Sequence, residues 1–162
     1  MKRYCLYLFI LIGISCSAEL KAQKNGTIYK GNDPAVRYTG RTLVSPDGSV
    51  AFDWVGTYLE TRFTGGKLSV KVSETGTSYY NVFVDGKLHK VVKVCGTDTL
   101  IHLVSGIDKR IHSLKIQKRS EGEFGKTTVH QFVLSGSGRL AEEPAVRTRH
   151  IEFIGNSLTC GY

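Results

Sequence analysis

Residues 67–73 read KLSVKVS, in which Leu68, Val70 and Val72 alternate with Lys67, Ser69, Lys71 and Ser73. Successive side chains of an extended chain point to opposite faces, so the pattern predicts a strand with one buried and one wet face. The next stretch, YYNVFVDGKLHKVVKV at 79–94, sets two apolar runs about Asp85-Gly86. That dipeptide tolerates the positive φ of a two-residue turn, which predicts a hairpin. Further strands are expected at Ser49–Val55 and Thr57–Phe63, divided at Gly56, and at Thr99–Val104, His112–Lys118 and Thr127–Ser135. Gly65-Gly66, Gly96, Gly106, Gly122 and Gly125 separate the strands, together with a Pro46-Asp47-Gly48 turn. No useful helical period precedes residue 155. About eight short strands with frequent turns predict an all-β antiparallel sandwich.

The two ends of the chain differ from this middle. MKRYCLYLFILIGIS opens with Lys2 and Arg3 and continues with an apolar run from Tyr4 to Ile14. As a helix the run would span roughly 17 Å, against ~30 Å of hydrocarbon in a bilayer, so it is read as a signal peptide and not as an integral membrane span. Cleavage after Ala22 gives residues 1–22 as signal peptide, with lipidation at Cys16 as the alternative; either implies export. Residues 23–140 form the sandwich domain. The charged, Pro144-containing stretch 141–149 reads as a linker. HIEFI at 150–154 is denser in apolar residues than the earlier strands, as a strand covered on both faces would be.

Charge and cysteines exclude more than they assign. Removing Lys2, Arg3 and Lys21 from 22 cations, and Glu19 from 14 anions, leaves a chain near +6. The cations are scattered at alternate strand positions with no basic stripe, so no nucleic-acid partner is expected. Only Cys95 and Cys160 survive cleavage, and no CxxC or Cys/His spacing is present. No metal site and no cofactor is expected, and the two cysteines are read as free thiols.

Gly155-Asn156-Ser157 follows the last strand and precedes Leu158-Thr159. A serine at a strand-to-helix turn exposes its hydroxyl and aims backbone N–H groups at a developing oxyanion. Such a hydroxyl still needs a base. The same pattern also describes a turn with a helix-capping serine.

HIEFIGNSLTCGY, at 150–162, resembles the first sequence block of the SGNH (GDSL-type) hydrolases, and in particular carbohydrate esterase family 2. Upstream, VAFDWVGTYLETRFTGGKLSVKV, YYNVFVDGKLHKVV and HSLKIQKRSEGEFG look like the N-terminal jelly-roll of that family. The resemblance covers roughly residues 35 to 162. It implies a jelly-roll β-sandwich followed by the first strand and turn of an incomplete α/β hydrolase domain at 150–162. It also implies a whole enzyme that deacetylates xylan- or glucomannan-type polysaccharide, with Ser157 as the catalytic nucleophile. Asn156 stands where the GDSL pattern has Asp, which puts the hydrogen bonding of the turn in question. The family's catalytic histidine and its further oxyanion donors, a glycine and an asparagine, lie downstream of the serine block. His89, His102, His112, His130 and His150 all precede Ser157 and match none of them. The expectation is a truncated chain, inactive by itself, whose partners are an acetylated glycan and a missing C-terminal hydrolase domain. The alternative is a stand-alone carbohydrate-binding or structural module. Trp54, Tyr58, Tyr79 and Tyr80 are weighed as a sugar-stacking platform against ordinary sheet positions. Glu121 and Glu123 are weighed as a carboxylate pair against a solvated loop.

Overall fold

The computed structural model describes residues 26–141, 148–149 and 154–156. Among these, all regular structure is strand apart from one 3-10 turn, Gly122–Phe124. The strands are β1 (Thr27–Lys30), β2 (Val36–Thr39), β3 (Leu43–Val44), β4 (Val50–Phe52), β5 (Tyr58–Val84), β6 (Lys87–Lys118), β7 (Thr127–Ser135) and β8 (Arg139–Leu140), and every pairing is antiparallel.

Two strands are far longer than the alternation predicts. β5 and β6 pair with each other in three legs, interrupted by register shifts at Thr64–Leu68 and Val72–Thr77. Tyr58–Thr64 pairs with 111–117, Leu68–Val72 with 99–104, and Thr77–Val84 with 87–95. The last leg of β5 also pairs with Leu114–Lys118. One sheet therefore runs β2, first leg of β5, last leg of β6, last leg of β5, first leg of β6. The other runs β3, β4, β7, middle leg of β5, middle leg of β6, with β1 beside β7. The result is a jelly-roll sandwich whose two central strands bend from sheet to sheet. At one bend Gly66 (φ +83) and Gly106 (φ +70) occupy left-handed backbone. A Cβ on Gly66 would lie 2.4 Å from the Ser135 carbonyl oxygen, so this bend admits only glycine.

The core lies between the sheets. Leu68, Val70 and Val72 face Leu59, Phe63, Val82 and Leu114 across it, all buried. Opposite Lys71–Val72, β7 carries one extra residue, so Val129 and Phe132 both turn inward. Ser69, expected on the wet face, is buried, because His102 and Val133 flank it on the neighbouring strands. Among the described residues the first leg of β6 pairs only with β5. On that open side Lys90 reaches across and donates to the His102 carbonyl at 2.7 Å, linking one sheet to the other.

A polar clamp joins the hairpin tip to the bend at Gly106. His112 is buried beside the Phe63 ring. Its Nδ1 lies 2.7 Å from Asp85 Oδ2 and its Nε2 2.9 Å from Asp108 Oδ1. Two carboxylate acceptors require two N–H donors, so the ring is an imidazolium. Asp85, in the turn at φ +50, also accepts from the Ser113 N–H, and Asp108 accepts from Arg110 Nε and N–H. The Asp85 bond above all, with help from Asp108, raises the His112 pKa against the opposing effect of burial. The same contacts lower Asp85, and Arg110 with His112 holds Asp108 down at about 2.

The sign of the pH dependence follows. The imidazolium's contribution is complete below its unfolded pKa near ~6.5 and is lost as pH rises through the raised folded value. The carboxylates' contribution is complete above ~4 and is lost as pH falls through their lowered values. Urea unfolding at stepped pH is expected to show stability falling on the alkaline side of this window, and His112→Gln is expected to flatten that limb.

Candidate functional site

Ser157, Cys160, His150 and the strand expected at 150–154, apart from Ile154, lie outside the described residues. Ile154, Gly155 and Asn156 are exposed, Ile154 at 90 %. The four aromatic candidates separate by face. Tyr79 and Tyr80 are neighbours in one strand and so point opposite ways. Tyr80 is in the core at 3 % exposure, and Tyr79 is on the outside at 45 %. Tyr58 is half-buried with the Lys115 ammonium 3.9 Å over its ring. Trp54 stands 62 % exposed in the β4–β5 loop, with the Arg41 guanidinium 5.9 Å over its ring. Tyr80 thus leaves the platform, while Trp54 and Tyr79 remain.

Trp54 and Tyr79 belong to one end of the sandwich. Gly56 N–H donates to the Lys118 carbonyl at 3.0 Å, Thr57 N–H to the Trp54 carbonyl, and Arg119 N–H to the Tyr79 carbonyl at 2.9 Å. Tyr79 N–H in turn donates to Ser120 Oγ at 2.9 Å. The two aromatic segments therefore flank the same piece of β6. The 3-10 turn closes this end: a Cβ on Gly122 would lie 3.4 Å from the Asp53 carbonyl oxygen, and one on Gly76 would lie 2.2 Å from that of Phe124. Phe124, 55 % exposed, joins the aromatic set. Reading the residues alone missed it, because Gly122, Glu123 and Gly125 around it read as a solvated loop. Glu123 is exposed in this turn, and Glu121 is half-buried at its start.

Beneath that end lies a polar core. Lys118, 1 % exposed, donates from Nζ to the Gly125 carbonyl at 2.6 Å and to Ser78 Oγ at 3.1 Å. Burial lowers its pKa, and the charges of Glu74 and Asp53 oppose that shift. Buried Glu74 accepts from Thr127 Oγ1; that hydroxyl's own proton is then used, so Tyr80 donates to Thr127. Burial pushes the Tyr80 phenol far up, keeping it a donor. Lys118 opens the Lys-Arg-Ser-Glu stretch, and its contacts are structural: it anchors the loop that carries Phe124.

Three of the described histidines have side-chain partners. His112 is held in the clamp. His130 Nε2 lies 2.8 Å from Ser73 Oγ on the outer face of the second sheet, and His102 Nδ1 lies 3.5 Å from Ser69 Oγ. Cys95 is an exposed free thiol. Among the described residues no three His, Cys, Asp or Glu side chains come together as a metal site. None of their helices is long and apolar enough to cross a membrane.

Residues 38–144, most of the sandwich, match the family described as carbohydrate esterase 2 N-terminal. The chain belongs to that family. It is 34 % identical over 131 residues to the cellulase/esterase CelE of Acetivibrio thermocellus, which spans 81 % of this chain and 16 % of that protein. It is 29 % identical over 131 residues to an acetylxylan esterase / glucomannan deacetylase of Cellvibrio japonicus, over 80 % of this chain and 36 % of that one. The structure of a family two carbohydrate esterase from Cellvibrio japonicus superposes at a TM-score of 0.76 with 27 % identity, covering 85 % of this chain and 41 % of the other. The chain thus spans well under half the length of each relative. Within the carbohydrate esterase 2 N-terminal domain, the Lys118 network explains why the turn after β6 has a defined shape.

Removing a buried cation strands its acceptors, which costs about 3 kcal/mol or more. Lys118→Ala is expected to lower unfolding stability by that amount in urea titration. Lys118→Met, which keeps the packed stem, should lose less. Arg119→Ala, on the exposed neighbour, should change stability by under about 0.5 kcal/mol.

Proposed function

We propose that this domain is the N-terminal sandwich of an exported enzyme that removes acetyl groups from xylan- or glucomannan-type polysaccharide, with Ser157 as its nucleophile. The family match over 38–144, followed within a short linker by Gly155-Asn156-Ser157, carries this reading. The Cellvibrio japonicus relative, an acetylxylan esterase / glucomannan deacetylase, supplies the substrate class. In such a reaction the Ser157 hydroxyl attacks the acetyl carbonyl while a base takes its proton, and the backbone N–H of Ser157 is one donor to the oxyanion. No histidine follows Ser157 in these 162 residues. His112 and His130 are engaged with Asp85, Asp108 and Ser73. The greater length of the relatives supports a reading in which a further hydrolase domain supplies the base and the remaining oxyanion donors. Without the base alone, the rate loses ~100- to 10,000-fold.

The second reading, a carbohydrate-binding module, is favoured by one observation: Trp54, Tyr79 and Phe124 are all exposed around one loop end. Acetate release from acetylated xylan and glucomannan separates the two roles. The 162-residue protein is expected to give none above a buffer blank; turnover abolished by Ser157→Ala would show that the chain is itself an esterase. Expressed with its leader in a secreting host, the exported protein is expected to begin at Gln23. A lipid-modified Cys16 at the start would replace cleavage after Ala22 with membrane anchoring.

A further inference from the structure

We infer that the loop end formed by Asp53–Thr57, Arg119–Gly125 and Tyr79 is a binding site for a neutral polysaccharide chain, with Trp54, Tyr79 and Phe124 as stacking surfaces. The inference rests on the carbohydrate reading above and gives it a location on the sandwich.

Three observations carry it. First, Trp54, Tyr79 and Phe124 are exposed by 62, 45 and 55 %, and each is fixed through its backbone. The Trp54 carbonyl accepts from Thr57 N–H, Tyr79 is held by Ser120 and Arg119, and Phe124 N–H by the Glu121 carbonyl. Rings on pinned backbone lose little entropy when a ligand stacks on them. Second, the spacing suits a polymer. Trp54 and Tyr79 flank β6 from opposite sides, so their segments lie two strand separations, roughly 10 Å, apart. That span corresponds to about a disaccharide along an extended glycan. Third, the surroundings are mixed. Exposed Arg41 lies over the Trp54 ring, and exposed Asp53, Arg119 and Glu123 are carried by the same loops as the aromatics. A protein-docking surface is depleted of charge at its core. A sugar ring presents C–H faces to aromatics and a rim of hydroxyls to charged and amide groups, which this alternation matches. Cations and anions are interspersed at this end, which favours a neutral chain over a uronic acid polymer.

Trp54 is the sole tryptophan, so its fluorescence reports on this site alone. Titrating the 162-residue protein with xylohexaose and with mannohexaose is expected to give a saturable change in emission with at least one of them. Tyr79→Ala and Phe124→Ala should each weaken that affinity about fivefold to tenfold. Lys109→Ala, beside Gly65 and Arg139, should leave it unchanged, and circular dichroism checks that each variant folds. Retardation in gels containing xylan or glucomannan, lost in Trp54→Ala, gives a readout that does not depend on the fluorophore. No emission change and no retardation up to about 1 mM hexasaccharide would overturn the inference. So would equal affinity in the Tyr79 and Phe124 variants, or an emission shift that tracks protein concentration without glycan, which would make the face a protein contact. Failure here with acetate release intact in the longer enzyme would leave the esterase reading standing. Binding without any acetylesterase activity in that enzyme would do the reverse.

Discussion

The continuous pairing of β5 with β6 is the constraint on which the sandwich depends. A ladder of this length cannot stay flat, since strands twist and their inner faces must still meet across a core. Here it folds over twice, and each fold needs backbone that most residues resist. Gly66 and Gly106 supply it at one bend, Gly96 at the other. Because both sheets share the same two strands, neither can form a face without the other. The short strands β2, β4, β7 and β8 then complete the edges of a framework already set.

The same bends decide where polar groups are buried. At the bend near Gly106, Asp108 is brought to His112, and the hairpin turn brings Asp85. At the other bend Glu74 is drawn inside, where Thr127, itself accepting from Tyr80, donates to it. Lys118 lies beside them and is paired by a carbonyl and a hydroxyl. A buried ion costs several kcal/mol unless it is satisfied in this way, so these residues are specified by geometry as strictly as the apolar core is. The Lys-Arg-Ser-Glu stretch thereby acquires a physical meaning: one buried lysine, one exposed arginine, and a serine that receives the Tyr79 N–H.

Much of this was legible in local pattern. Leu68, Val70 and Val72 point inward as their alternation demands, and Asp85-Gly86 closes the hairpin. Alternation says which way a side chain points but not what covers it, so Ser69 is buried on a face that reads as wet. It also cannot show continuity: glycine-punctuated runs read as separate strands, whereas β5 and β6 pass through their glycines without ending. The inward turn of Tyr80 is a parity statement available from Tyr79, yet two adjacent aromatics look equivalent until the core side is known. His112 looks like any strand histidine, because its carboxylates come from turns 4 and 27 residues away. Phe124 was hidden among glycine and glutamate. Ser157 is proposed from its motif and from family membership, and lies outside the described residues.

Lys90 bears on how many copies of such a domain can coexist. Among the described residues the first leg of β6 pairs on one side, leaving the kind of edge along which identical chains stack into fibrils. Lys87, Lys90 and Lys93 are spaced along it, and Lys90 is turned inward, its ammonium held by the opposite sheet. A second copy approaching edge to edge would meet a like array of cations, one of which cannot swing away. The rail remains open to water and closed to its own kind, so the domain can be crowded without templating its own aggregation.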